Sequence, residues 1–125
     1  MNSNNMEKDI YNIAIVSKDG EVTNDEMTHE LMNDQSVGGS KRGTLFVSYV
    51  KLLETFGRPN EAYDHYKSDV NFSVMTPVGL AHIYNWKDGK NNCGDEGLEL
   101  VDINEWSVGG KDGQVMIYIE RALGI

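Results

Sequence analysis

The sequence predicts an α+β fold, a small antiparallel sheet of about three to four strands packed with two main helices. Three observations carry this expectation. Leu45, Tyr49, Leu52, Leu53 and Phe56 recur at helical spacing, and so do Val115, Met116, Ile119 and Leu123. Val70, Phe72 and Val74 alternate with Asn71 and Ser73, the period of a half-buried strand. Pro77-Val78-Gly79 separates that run from a second alternating one, so the two read as an antiparallel hairpin.

Residues 1 to 43 read as an acidic N-terminal extension carrying a hairpin and a short helix, and residues 44 to 125 as the core domain. In the extension, Ile10 to Val16 is apolar enough for a strand, and Asp19-Gly20 supplies turn chemistry after it. Residues 23 to 43 are rich in Asp, Glu, Asn, Ser and Gly; apart from a short helix around Asp25 to Met32 they look like linker. The first long helix is expected over "TLFVSYVKLLETF", with Thr44 as its N-cap, Gly57 at its C-cap and Pro59 forbidding continuation. Strands follow at "VNFSVMT" and "LAHIYNW". In the second, Ala81 and Ile83 share one face, and Leu80, His82, Tyr84 and Trp86 the other. "KDGKNNCGDEGLE" reads as a polar loop, "DINEWSVGG" as a third strand, and Asp112 to Leu123 as a final helix stopped by Gly124.

Composition narrows the function. The chain has 125 residues, one ordinary domain, and none of its apolar runs approaches the roughly 20 residues that span a bilayer. With a polar, acidic amino terminus, the plain expectation is a cytoplasmic protein without membrane contact. A net charge of −9 argues against duplex nucleic acid. The charge is uneven: residues 1 to 35 carry −6, residues 36 to 58 carry +3, and the rest −6. A small basic island suits a small anion, or it is simply a solvated helix face.

Catalytic and metal motifs fail on inspection. "DGKNNCGDEGLE" places Lys90 and Cys93 where a calcium loop needs a ligand and a glycine. "GGSKRGT" lacks the Gly-Lys-Ser/Thr order of a P-loop. His29, His65 and His82 have no i, i+4 partner, and Cys93 is the only cysteine. Asp95 and Glu96 are adjacent in a loop, which points to solvation rather than acid–base work. No enzyme activity, cofactor or metal is expected.

Two features remain. His82, Tyr84 and Trp86 put three rings on one strand face, either a platform for stacking bases or a surface packed by the N-terminal segment or another subunit. The tetrapeptide SVGG occurs at Ser36 and again at Ser107, each time ahead of lysine and an expected helix. Glycine before a helix amino terminus lets a phosphate approach unpaired N–H groups, with Lys41, Arg42 or Lys111 adding charge; alternatively both copies are ordinary glycine-rich connections. The candidate ligand-binding residues are therefore Lys41, Arg42, Thr44, His82, Tyr84, Trp86, Lys87, Gly109, Gly110 and Lys111.

The pieces "TLFVSYVKLLETFGRP", "HIYNWKDG" and "INEWSVGG" with a terminal helix resemble a group of small phage-encoded proteins, over about Thr44 to Leu123. Through that group the chain resembles the sponges that sequester cyclic nucleotides made by the bacterial CBASS antiviral system. The resemblance implies a non-catalytic, oligomeric trap for a cyclic dinucleotide such as cyclic GMP-AMP, acting in the host cytoplasm with the ligand near a subunit interface. The alternative is an inhibitor whose acidic surface, densest in residues 1 to 35, engages a basic host protein. A small hydrolase of the same nucleotide is disfavoured by the missing acid–base pair.

Overall fold

The structure is a computed structural model describing residues 10–36, 38–61 and 68–125. The first nine residues lie outside the described residues, as do Val37 of the first SVGG and His65.

The sheet begins with β1 (Ile10–Val16) and β2 (Val22–Thr28), an antiparallel hairpin. Its turn uses Gly20 at φ 87°, a left-handed conformation open to glycine. Helix α1 (His29–Ser36) follows, then β3 (Ser40–Leu45), α2 (Tyr49–Phe56) and the two-residue β4 (Asn60–Glu61). β5 (Val70–Thr76) and β6 (Gly79–Tyr84) form the expected hairpin. A short helix α3 (Lys90–Cys93) and two 3-10 turns lead to β7 (Trp106–Gly110), and α4 (Val115–Leu123) follows. Gly124 ends α4, as expected, and does so in the left-handed conformation.

The α+β class holds, but the expected sheet does not: it has seven strands, in the order β2-β1-β5-β6-β7-β3, with β4 also on β5. It is mixed rather than antiparallel, because β1 runs parallel to β5. The additional strands come largely from residues 10–45, which contribute β1, β2, α1 and β3. β2 and β3 are edge strands, and each buries a single side chain, Met27 and Leu45 respectively. Edges need no alternation of apolar and polar residues, and charge on them discourages pairing between copies. Asp25 and Glu26 mark one edge, Lys41 and Arg42 the other.

Helix α2 also starts later than expected. Leu45 belongs to β3, and Ser48, not Thr44, is the N-cap, its hydroxyl accepting from the Lys51 N–H at 3.0 Å. The third expected strand, from Asp102, is likewise shorter: Asp102 ends a 3-10 turn and the strand begins only at Trp106.

Two cores sit on the two faces of the sheet. On one, α2 and α4 cover Val74, Ala81, Ile83, Trp106 and Val108, all fully buried with Leu52, Val115 and Ile119. On the other, α1 lays Met32 over Ile13, Met27 and Leu80. Helix α1 contacts β1, β2 and β6. Among the described residues, no helix is long and apolar enough to cross a membrane.

Candidate functional site

Strand register builds the site. Ser73 of β5 faces His82 of β6, His82 faces Gly109 of β7, and Gly109 faces Lys41 of β3. One row over run Asn71, Tyr84, Ser107 and Thr44. Both rows lie on the face opposite the main core, because Ala81, Ile83 and Val108 occupy the intervening positions.

A cleft of about 190 Å³ opens beside α1 over the first row. It is lined by Lys41, His82, Tyr84, Gly109, Gly110 and Lys111, six of the residues expected from sequence, together with Gln35, Ser36, Gly39, Ser40 and Leu80. A second hollow of about 130 Å³ lies over the next row, between Lys41, Thr44, Trp86, Asp88, Glu105 and Ser107. Lys41 borders both.

Behind the wall of the first cleft runs a chain of polar side chains through His82. Ser36 Oγ donates to the Met32 carbonyl at 2.7 Å, so at 2.8 Å it accepts from His82 Nε2–H. His82 Nδ1 is then the acceptor for Asn71 Nδ2 at 3.0 Å, whose second hydrogen goes to Ser73 Oγ, also at 3.0 Å. The imidazole is thus held neutral in one tautomer. Burial pushes its pKa down to about 4 from the ordinary 6.5, and a proton on Nδ1 would confront the Asn71 amide donor. Burial also raises the Tyr84 phenol, which stays a neutral donor near pH 7.

Arg42 and Lys87 line neither cleft. Arg42, the extra residue of a bulge in β3, donates from Nε to the Gly110 carbonyl at 2.9 Å and from Nη2 to that of Lys111 at 2.6 Å. It closes the β3–β7 edge. Lys87 stands at φ 62° with its ammonium 5.7 Å from the Trp86 ring centroid, and Trp86 meets Tyr84 edge-on at 6.1 Å.

Neither SVGG copy begins a helix. The first links the end of α1 to β3, and the second is β7 itself. β3 begins one residue after the first copy, with Ser40 opposite Gly110, and Ser36 and Gly39 of the first copy line the same cleft as Gly109 and Gly110 of the second. The N–H groups at the start of α4 are already used: Gln114 N–H reaches Asp112 Oδ1 at 2.8 Å, and Val115 N–H the Asp112 carbonyl at 3.2 Å. The helix amino terminus therefore does not offer the free N–H groups that the sequence reading expected there.

Gly109 and Gly110 point opposite ways. A side chain on Gly110 would meet the Leu80 carbonyl at 3.3 Å and Val115 at 3.4 Å, on the core side. One on Gly109 would meet the Ser40 carbonyl and the Tyr84 ring at an ordinary 3.6 Å, on the cleft floor. Ser36, Asp88, Glu105 and Ser107 escaped the sequence reading. Only Ser107 left a signal there, sharing strand parity with Gly109. Among the described residues no His/Cys/Asp/Glu group could hold a metal ion. Comparison with family models, with curated proteins and with solved structures finds no match to this chain.

Proposed function

We propose that the protein binds and sequesters an anionic cyclic nucleotide in the cleft beside α1, without cleaving it. One observation carries this reading: in a chain of net charge −9, the cleft is lined by two lysines and no carboxylate. Lys41 and Lys111 supply charge for phosphate, the Tyr84 ring offers a stacking surface, and Gly109 keeps the floor low. The resemblance to phage sponges fits this chemistry and implies action in the host cytoplasm.

The cleft is too small to enclose a dinucleotide. At about 190 Å³ it falls below the roughly 300–1,000 Å³ of ordinary ligand sites. Nanomolar sequestration needs about −12 kcal/mol, and each stacked base contributes about 1–3 kcal/mol. A ligand shared between two copies meets both demands, so the protein is expected as a dimer or tetramer. A monomeric mass by light scattering at micromolar concentration would count against sharing.

A thermal-shift screen with cyclic di- and trinucleotides tests the function directly, followed by denaturation and mass analysis of the ligand. An intact ligand is expected; a hydrolysed one would make the protein an enzyme. The glycines sharpen the test. Gly109→Val should leave the fold near parental stability and abolish binding by filling the floor. Gly110→Val should instead lower stability by about 1–3 kcal/mol through crowding of Val115. Equal binding by parent and a folded Gly109→Val protein would move the ligand elsewhere.

A further inference from the structure

Three side chains bring basic nitrogens to the cleft beside α1: Lys41, His82 and Lys111. Two of them are already taken, and both by oxygens of α1. His82 Nε2–H donates to Ser36 Oγ at 2.8 Å, and the Lys111 ammonium donates to the Asp34 carbonyl at 3.2 Å. Lys41, by contrast, makes no side-chain hydrogen bond or ion pair among the described residues. Asp34 and Ser36 belong to the last turn of α1, where carbonyls lack partners within the helix and the peptide dipoles leave a partial negative charge. The end of α1 therefore offers the cleft what an anion would offer it, electron-rich oxygens aimed at nitrogen donors.

We infer that the last turn of α1 is an autoinhibitory plug, whose oxygens occupy two of the cleft's donors until an anion displaces them. The helix is lightly held. Met32 is its one buried residue, and the rest of its attachment to the cleft is the pair of hydrogen bonds just named. Gly38, in the link from α1 to β3, stands at φ 84°, and a side chain there would meet nothing within 4 Å. Glycine in open space lets the turn swing without a clash, as a hinge requires. An ionised phosphate attracts the Lys111 ammonium with a full charge and the Asp34 carbonyl only with a partial one, so the anion wins the exchange. Once the turn moves aside, His82 Nε2–H is freed as a further donor, and the cleft widens towards the size its ligand needs.

The inference rests on the anion-binding reading of the cleft, and the experiment tells their failures apart. Inorganic pyrophosphate is titrated calorimetrically into the full chain and into Ser36→Ala at constant ionic strength, with hydrogen exchange followed over α1. Ser36→Ala removes the oxygen that occupies His82 and leaves Lys41 and Lys111 in place. It should bind pyrophosphate more tightly than the parent, by roughly 3- to 10-fold, because a larger fraction of the protein already has the turn displaced. A residue that contacted the ligand directly would give the opposite sign. Exchange at residues 33–36 should speed up when pyrophosphate binds the parent, whereas a ligand seated beneath a closed turn would slow it. Binding by Ser36→Ala alone would support the plug in its strictest form. Equal or weaker binding by a folded Ser36→Ala protein, with slowed exchange in α1, would overturn the plug and leave the anion site standing. Binding by neither protein would overturn both.

Discussion

Trp106→Ala is expected to remove about 3–5 kcal/mol of stability, enough to unfold a large fraction of a marginally stable domain. Trp106 opens β7 and is fully buried in the main core. Tyr49 of α2 stacks on it at 5.9 Å and Phe72 of β5 meets it edge-on at 6.1 Å, so one ring joins a helix to two strands. Its Nε1–H donates to the Val47 carbonyl at 3.1 Å, the segment between β3 and α2. Truncation leaves a cavity among three elements and strips that carbonyl of a donor. Trp106→Phe should recover part of the packing but not the hydrogen bond, giving an intermediate loss. Urea unfolding of the three proteins measures this; a loss under 1 kcal/mol for alanine would show that α2 collapses into the space.

The second large effect is on pH. His82 has a folded-state pKa of about 4 against 6.5 in the unfolded chain, so between these values the unfolded state binds the extra proton. The stability that the neutral imidazole secures is therefore intact above pH 6.5 and drains away as pH falls towards 4. The whole shift corresponds to on the order of 3 kcal/mol. Below the folded value both states are protonated and this loss stops growing. His82→Gln should flatten the curve over that window while keeping a donor and an acceptor between Ser36 and Asn71. Parallel pH profiles for parent and variant would mean that the imidazole titrates normally.

What the sequence disclosed follows burial. β5, β6, α2 and α4 press a regular set of apolar residues into the main core, so their periods are visible in the chain. β2 reads VTNDEMT with Met27 alone buried, and α1 reads HELMNDQS with Met32 alone buried. Neither carries a period, because each covers a margin rather than a centre. The cleft was legible as a set of residue types but not as an arrangement. Lys41 sits next to Gly109 only because β3 pairs with β7, and that register is written in no local stretch. The SVGG repeat misled for the same reason: glycines that suit a helix start also suit crowded strands, as where Gly43 faces Met116.

The order of strands fixes an order of assembly as the chain leaves the ribosome. β5, β6 and β7 are sequential and can pair with one another as a meander. The amino-terminal third supplies both flanks of that meander, β1 with β2 on one side and β3 on the other. Until β5 emerges, β1 has only β2 beside it, and β3 has no strand to join until β7 is made. The nascent segment is thus synthesised first and finished last, with long loops to close before its contacts form. The two edge strands wait with charge rather than apolar surface, Asp25 and Glu26 on β2 and Lys41 and Arg42 on β3, which discourages pairing between copies in the interval.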